Sequence, residues 1–165
     1  MNDQPHPVEE AAFRQLNDLP DALHPPVWAV MQAGSLGGAL TAAAVAQLTG
    51  RRQLAARLAL TGVGVWAGAK VVKRWVGRGR PAELLDGVHV RGKEEGDLGF
   101  PSGHAAVAFC LAALIAPEVP PPLRPALWAT AATVGAARVY VGAHLPLDIV
   151  GGALLGLAAA GAAEL

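Results

Sequence analysis

One cysteine, Cys110, stands in 165 residues. A lone thiol closes no intrachain disulfide and builds no thiolate metal cage, and its place inside an apolar run makes it a packing residue. Aromatics are scarce at 5% and charged side chains at 16%, with 13 basic groups cancelling 13 acidic ones. A chain with no net positive charge and no basic stripe interleaved with aromatic platforms is not built to hold nucleic acid. Residues 1–10 are polar and acidic and lack the basic start and short apolar core of a cleavable signal peptide, so insertion into a membrane would rest on internal spans. Among the polar residues that interrupt the apolar runs, Asp148 is the only carboxylate in the motifs described below, which argues against a magnesium or two-metal centre; no metal and no cofactor is expected.

What is present is apolar: 53% hydrophobic residues, 20 glycines and a mean hydropathy of +0.36. That composition points to a membrane protein of one domain. Five apolar stretches can be marked, at 27–49, 54–76, 104–116, 126–141 and 147–163. A hydrocarbon core of about 30 Å takes roughly 20 helical residues, so the first two fit well and the last narrowly, while the third and fourth need their polar ends to be helical as well. Residues 8–23 alternate Val8, Ala12, Phe13, Leu16, Leu19 and Leu23 with Glu9, Glu10, Arg14, Asp18 and Asp21. This predicts a short amphipathic helix, interrupted at Pro20, that lies on the membrane surface or caps the bundle. The expected architecture is all-α: an integral membrane helical bundle of about five transmembrane helices plus an N-terminal amphipathic surface helix. Residues 1–26 form the leader and 27–165 the membrane-embedded domain. Small residues four apart, Gly34 with Gly38, Gly64 with Gly68 and Gly152 with Gly156, predict close helix approach rather than a dedicated dimer face. The polar connection at 77–100, with Arg91, Lys93, Glu94, Glu95 and Asp97, reads as a solvated surface that helps shape substrate entry.

Set into this apolar background are Lys73 with Arg80 and Pro81, then Pro101, Ser102, Gly103 and His104, then Arg138, His144 and Asp148. Charge beside lipid is costly unless matched, so such a set reads as a site. Pro101 to His104 open an apolar helix whose first backbone N–H groups can meet a phosphate, with His104 at the pocket's edge as a proton donor. If Pro146 opens the last helix, His144 lies just before it and Asp148 in its first turn. The carboxylate can then take the proton on one imidazole nitrogen and leave the other free to attack phosphorus, giving a phosphohistidine. Arg138, Arg80 and Lys73 can neutralise the oxygens of a phosphoryl transition state.

Lys73-x6-Arg80-Pro81, Pro101-Ser102-Gly103-His104 and Arg138-x5-His144-x3-Asp148 resemble the three signature motifs of the type 2 phosphatidate phosphatase superfamily, which holds membrane lipid phosphate phosphatases, class A acid phosphatases and vanadium haloperoxidases. The resemblance implies His144 as nucleophile, Asp148 as its partner, His104 as general acid, and Lys73, Arg80, Ser102, Gly103 and Arg138 as phosphate ligands. Two features depart from it. Ala137 stands where the third motif usually has serine, a loss of about 1 kcal/mol of hydrogen bonding. Five spans stand where membrane members usually show six, which leaves open a domain of a longer protein.

The function expected is a metal-independent, vanadate-sensitive membrane phosphatase acting on a lipid phosphomonoester or pyrophosphate. Phosphatidate, phosphatidylglycerol phosphate, polyprenyl pyrophosphates and polyprenyl-phospho-sugars are the substrates that the resemblance implies. The alternative is a non-catalytic lipid-phosphate-binding or scaffold domain of a larger membrane protein. The partners are therefore a lipid phosphate and a membrane, with a homodimer or a fused downstream membrane domain also open. Arg51, Arg52, Arg57 and Arg124 at one end nearly balance Arg74, Arg78, Arg91 and Lys93 at the other. The resemblance then implies a bacterial inner membrane with the site on its extracytoplasmic side.

Overall fold

The computed structural model describes residues 4–92, 96 and 98–163. Among these the chain is helical, and the only β pairing is an isolated bridge between Gly79 and Leu98. The helices are α1 (Pro7–Asn17), α2 (His24–Met31), α3 (Leu36–Leu48), α4 (Arg52–Val76), the short α5 (Pro81–Leu84), α6 (Gly103–Ile115), α7 (Arg124–Tyr140) and α8 (Pro146–Ala162). The all-α expectation holds, and the last four apolar stretches fall within a residue or two of α4, α6, α7 and α8.

The first stretch is not one straight helix. After α2 the chain makes a turn of 3-10 helix at Gln32–Gly34, and α3 leaves at 63°. Ser35 stops and restarts the helix, because its hydroxyl accepts from the Gly38 N–H at 3.0 Å and so caps the new N-terminus. Gly34 makes the corner close: a Cβ there would lie 2.5 Å from the His104 carbonyl oxygen. By length and composition α4 is apolar and long enough to cross a bilayer, and the bent pair passes the same test jointly; α6 and α8 are apolar but shorter.

At the centre is α6, with Ala105, Ala106, Val107, Cys110 and Leu114 at most 1% exposed. Its most extensive partner is α8. Gly152 and Gly156 let the two backbones touch, since a Cβ on either would strike the carbonyl oxygens of Ser102 and Ala106 respectively. Close approach by small residues is thus realised on α8. It is not realised at Gly64 and Gly68, where a Cβ would meet nothing within 4 Å. The outward faces of α3, α4 and α8 expose Leu40, Val45, Leu60, Val63, Leu154 and Leu157.

Of the two placements open to the N-terminal helix, the bundle cap is the one adopted. It ends at Asn17, before Pro20, and Phe13 is fully buried against Val139 and Leu145. Asn17 donates to the carbonyls of His89 and Tyr140 at 2.9 and 3.1 Å, and accepts from the His89 N–H at 2.9 Å. Arg91 is not the solvated charge expected of the 77–100 connection. It donates to Asp21 at 2.7 Å and to the carbonyls of Asn17, Leu19 and Tyr140, and lies over the Tyr140 ring. Four carbonyl or carboxylate acceptors gathered at one place need a five-donor fork, and only arginine supplies it. Lys93, Glu94, Glu95 and Asp97 of the same charge run lie outside the described residues.

The glycine contacts separate two outwardly similar substitutions. Gly156→Ala should destabilise the bundle by about 1–3 kcal/mol, since a backbone carbonyl cannot yield. Gly64→Ala should leave it unchanged or firmer by up to about 1 kcal/mol through helix propensity. Thermal unfolding followed by circular dichroism in detergent checks the pair; equal shifts would contradict the packing described.

Candidate active site

Three loops and two helix starts converge at one end of the bundle. Pro146 occupies the first turn of α8, as the sequence suggests, and puts His144 just before the helix and Asp148 within its first turn. The loop carrying His144 is tied back to α7, because the Arg138 carbonyl accepts from the N–H groups of Ala143 and His144 at 3.1 and 3.2 Å. Arg138 and His144 are thereby held side by side, and they are 3% and 2% exposed. The Arg138 guanidinium also donates to the Met31 sulfur at 3.2 Å. Ala137, where the motif usually has serine, is buried and packed in an apolar cluster with Met31, Tyr140 and Val141.

Helix α6 starts one step later than the proline suggested: Ser102 is its cap and Pro101 lies outside. Ser102 is fully buried, its hydroxyl accepting from the Ala105 N–H at 3.4 Å, and its own N–H donates to the Asp148 carbonyl at 2.8 Å. Its N–H is therefore committed to the contact between helix starts. Gly103 and His104, the next two residues, line the cavity.

That cavity has two lobes. One, of about 950 Å³, is lined by Lys73, Arg80, Gly103, His104 and His144 among others. The other, of about 640 Å³, shares Arg80 and His104 and adds Arg138. The cations reach it on side chains held by carbonyls: Lys73 donates to Leu98 and Gly99 at 2.9 and 2.7 Å, and Arg80 to Gly96 and Ala143 at 2.6 and 2.8 Å. Burial first, and then the positive charges of Arg138, Lys73, Arg80 and His104, hold the His144 pKa well below the usual imidazole range. It is a neutral base facing an anion-attracting space.

Asp148 does not line the cavity; it sits behind His144, fully buried. Its Oδ2 accepts from the Leu145 N–H at 2.8 Å and stands 3.6 Å from His144 Nδ1, which has no hydrogen-bond partner among the described residues. The expected pairing is thus a facing one at ion-pair distance rather than a hydrogen bond.

Two residues missed by the sequence reading complete the set. Arg78 donates from Nη1 to Asp148 Oδ1 at 2.9 Å and holds Glu9 with both terminal nitrogens, at 3.2 and 2.7 Å. Burial works against its charge, but Glu9 and Asp148 outweigh that and raise the guanidinium above its ordinary pKa. Glu9 also accepts from the Leu147 N–H at 3.0 Å. A signal for Glu9 existed: with Phe13 and Asn17 it forms an i, i+4, i+8 row, all buried, so a carboxylate stood on the inward face of α1. Arg78 carried no such signal, being one of several arginines in a basic stretch. Among the described residues no three His, Cys, Asp or Glu side chains gather as a metal would require.

A family model described as the PAP2 superfamily matches residues 52–163. No curated protein matches the chain by sequence. The crystal structure of Aquifex aeolicus LpxE is similar with a TM-score of 0.86 at 24% identity, over 98% of this chain and 97% of that one. The crystal structure of a transmembrane PAP2 type phosphatidylglycerolphosphate phosphatase from Bacillus subtilis is similar with a TM-score of 0.67 at 21% identity, over 96% and 86%. At those identities the two likenesses speak to the fold.

The low pKa of His144 has a measurable consequence for stability. Above the ordinary value of 6.5 the imidazole is neutral folded or unfolded; below it the unfolded chain takes up a proton that the folded chain refuses. The wild type should therefore lose stability relative to His144→Gln as pH falls from about 6.5 to 5, by up to about 1.4 kcal/mol per pH unit. Parallel unfolding curves for the two proteins across that window would contradict it.

Proposed function

Because the chain belongs to the PAP2 superfamily, we propose that it is a membrane lipid phosphatase that works through a phosphohistidine on His144 and needs no metal. The observation that carries this is two histidines, His144 with Asp148 behind it and His104, facing one cavity ringed by Lys73, Arg80 and Arg138. A binding site would need the cations; it would not need a histidine backed by a carboxylate among them.

In the first step His144 Nε2 attacks phosphorus and the bond to the lipid oxygen breaks, while His104 gives that oxygen a proton. Lys73, Arg80 and Arg138, with the Gly103 N–H at the start of α6, hold the non-bridging oxygens as charge builds on them. Ser102 contributes by capping that helix start. His144 becomes positive on phosphorylation, and the carboxylate of Asp148 behind it is then drawn toward Nδ1; catalytic hydrogen bonds are often long before substrate arrives. In the second step water gives a proton to His104, its oxygen attacks phosphorus, and the P–N bond breaks with its electrons returning to His144. Charge neutralisation comes from three side-chain cations, which is why the reading needs no metal.

Lipid as the substrate is supported by the apolar outer faces of α3, α4 and α8. It is supported further by an apolar groove of about 640 Å³, between α3, α6 and α7, which meets the phosphate cavity at Gln32 and Ser35 and runs past Gly38, Ala42, Ala108 and Leu111. An acyl or prenyl chain could lie in it with its phosphate at the cations. We place the protein in a bacterial inner membrane, with Arg51, Arg52, Arg57 and Arg124 at the cytoplasmic end and the site at the other.

Phosphate release by the purified chain in EDTA, from phosphatidate, phosphatidylglycerol phosphate and a polyprenyl pyrophosphate, tests the proposal. At least one lipid should be hydrolysed, and His144→Ala should abolish it. Lack of release from a folded protein on every lipid would favour a binding or scaffold domain instead. Arg138→Ala should lower kcat/KM by about two orders of magnitude or more, as loss of one oxyanion donor does. His104→Ala should slow an alkoxide leaving group more than a pyrophosphate, whose departing phosphate needs less protonation. Equal losses on the two would remove the general-acid role.

A further inference from the structure

We infer that Glu9 is a positioning residue of the active site, acting through Arg78 on Asp148, so that the N-terminal helix α1 is part of the catalytic apparatus. The inference rests on His144 being the nucleophile. Glu9 lies outside residues 52–163, the part of the chain that the family model matches.

The contacts form one chain. Both Glu9 oxygens accept from Arg78, and Arg78 Nη1 reaches on to Asp148 Oδ1 at 2.9 Å. Asp148 Oδ2 is fixed by the Leu145 N–H and faces His144 Nδ1. Glu9 Oε1 holds the Leu147 N–H as well, so the same carboxylate grips the first turn of α8 from which Asp148 projects. Glu9 is 7% exposed and Asp148 fully buried, so little water competes with these bonds. On the same helix, Phe13 is packed against Leu145, the residue after His144.

Charge makes the arrangement more than a strut. Asp148 alone would be neutralised by Arg78, leaving nothing to favour a positive imidazole. Glu9 brings a second negative charge to the same guanidinium, so the group behind His144 keeps a net charge of about −1 when the imidazole turns positive. Arg78 in turn keeps two buried carboxylates from repelling each other. An arginine suits the task because its planar fork can serve Glu9 with two nitrogens and Asp148 with one of them at once.

The test is a double-mutant cycle on the full chain in detergent, with dioctanoyl phosphatidate as substrate. Glu9→Gln keeps the shape and removes the charge; it should lower kcat about tenfold or more with KM within about twofold. In an Asp148→Asn background the same change should cost nearly nothing, because its route to His144 is already cut. A kcat in the wild-type range for Glu9→Gln, or an equal loss in both backgrounds, would overturn the inference. A second readout needs no turnover: nitrogen-15 NMR of histidine-labelled protein reports the His144 tautomer. The wild type should hold the proton on Nδ1, toward Asp148, and Glu9→Ala should give a mixture; an unchanged tautomer would overturn the inference even if no lipid is hydrolysed. Failure of the phosphatase reading would show differently, as a wild type that releases phosphate from none of the lipids.

Discussion

A carboxylate with no water around it must be met by donors, and much of this structure is arranged around meeting Asp148. Arg78 supplies a charge from the loop after α4, and the Leu145 N–H supplies a second bond from the turn that precedes α8. The backbone of the same residue accepts from Ser102 at the start of α6. One residue therefore joins all three motif-bearing segments. An unpaired buried charge costs several kcal/mol, so these segments are held together by the need to satisfy it as much as by apolar contact.

The apolar part of the molecule makes that convergence possible. Gly152 and Gly156 allow α8 to lie backbone to backbone on α6, and Gly34 allows the corner before α3 to press on His104. With larger residues the helix starts would stand apart and no single carboxylate could span them. The same closeness brings Arg138, His144 and His104 round one cavity, where positive charges and a base coexist while backbone carbonyls hold Lys73 and Arg80. Chemistry on a phosphate needs an anion-attracting space and a base that stays unprotonated in it. Each cation helps keep His144 neutral, so the two needs are met by the same groups.

Much of this was legible beforehand. Helices α4, α6, α7 and α8 follow from continuous apolar runs, and Pro146 at the edge of the last run suits the first turn of α8 that it occupies. The gathering of Lys73, Arg80, His104, Arg138 and His144 follows from polar residues placed at the ends of such runs. The bend at Ser35 was legible only in part: Gly34, Ser35, Gly37 and Gly38 are poor helix formers or caps, but inside a continuous apolar run the same small residues also serve close helix packing. The part played by Ser102 was not legible, since a serine before a helix can cap it, bind a ligand, or do both. Arg91 read as solvated surface because the acceptors that hold it come from α1, the turn after it and α7, far apart in the chain.

What the sequence by itself determined is the helical class, the apolar faces and the chemical inventory of the site, because these depend on local periodicity and on residue types that have few other uses in such surroundings. What only the tertiary structure decided is which charges pair. Thirteen basic and thirteen acidic side chains allow many pairings; nothing local distinguishes Arg78 from Arg74, and the inward place of Glu9 on α1 does not say which cation it meets. Only when α1 is laid against α7 and the start of α8 does one arginine find two buried carboxylates within its reach. Coulomb attraction is set by distance through space, and the order of residues along a chain does not contain that distance.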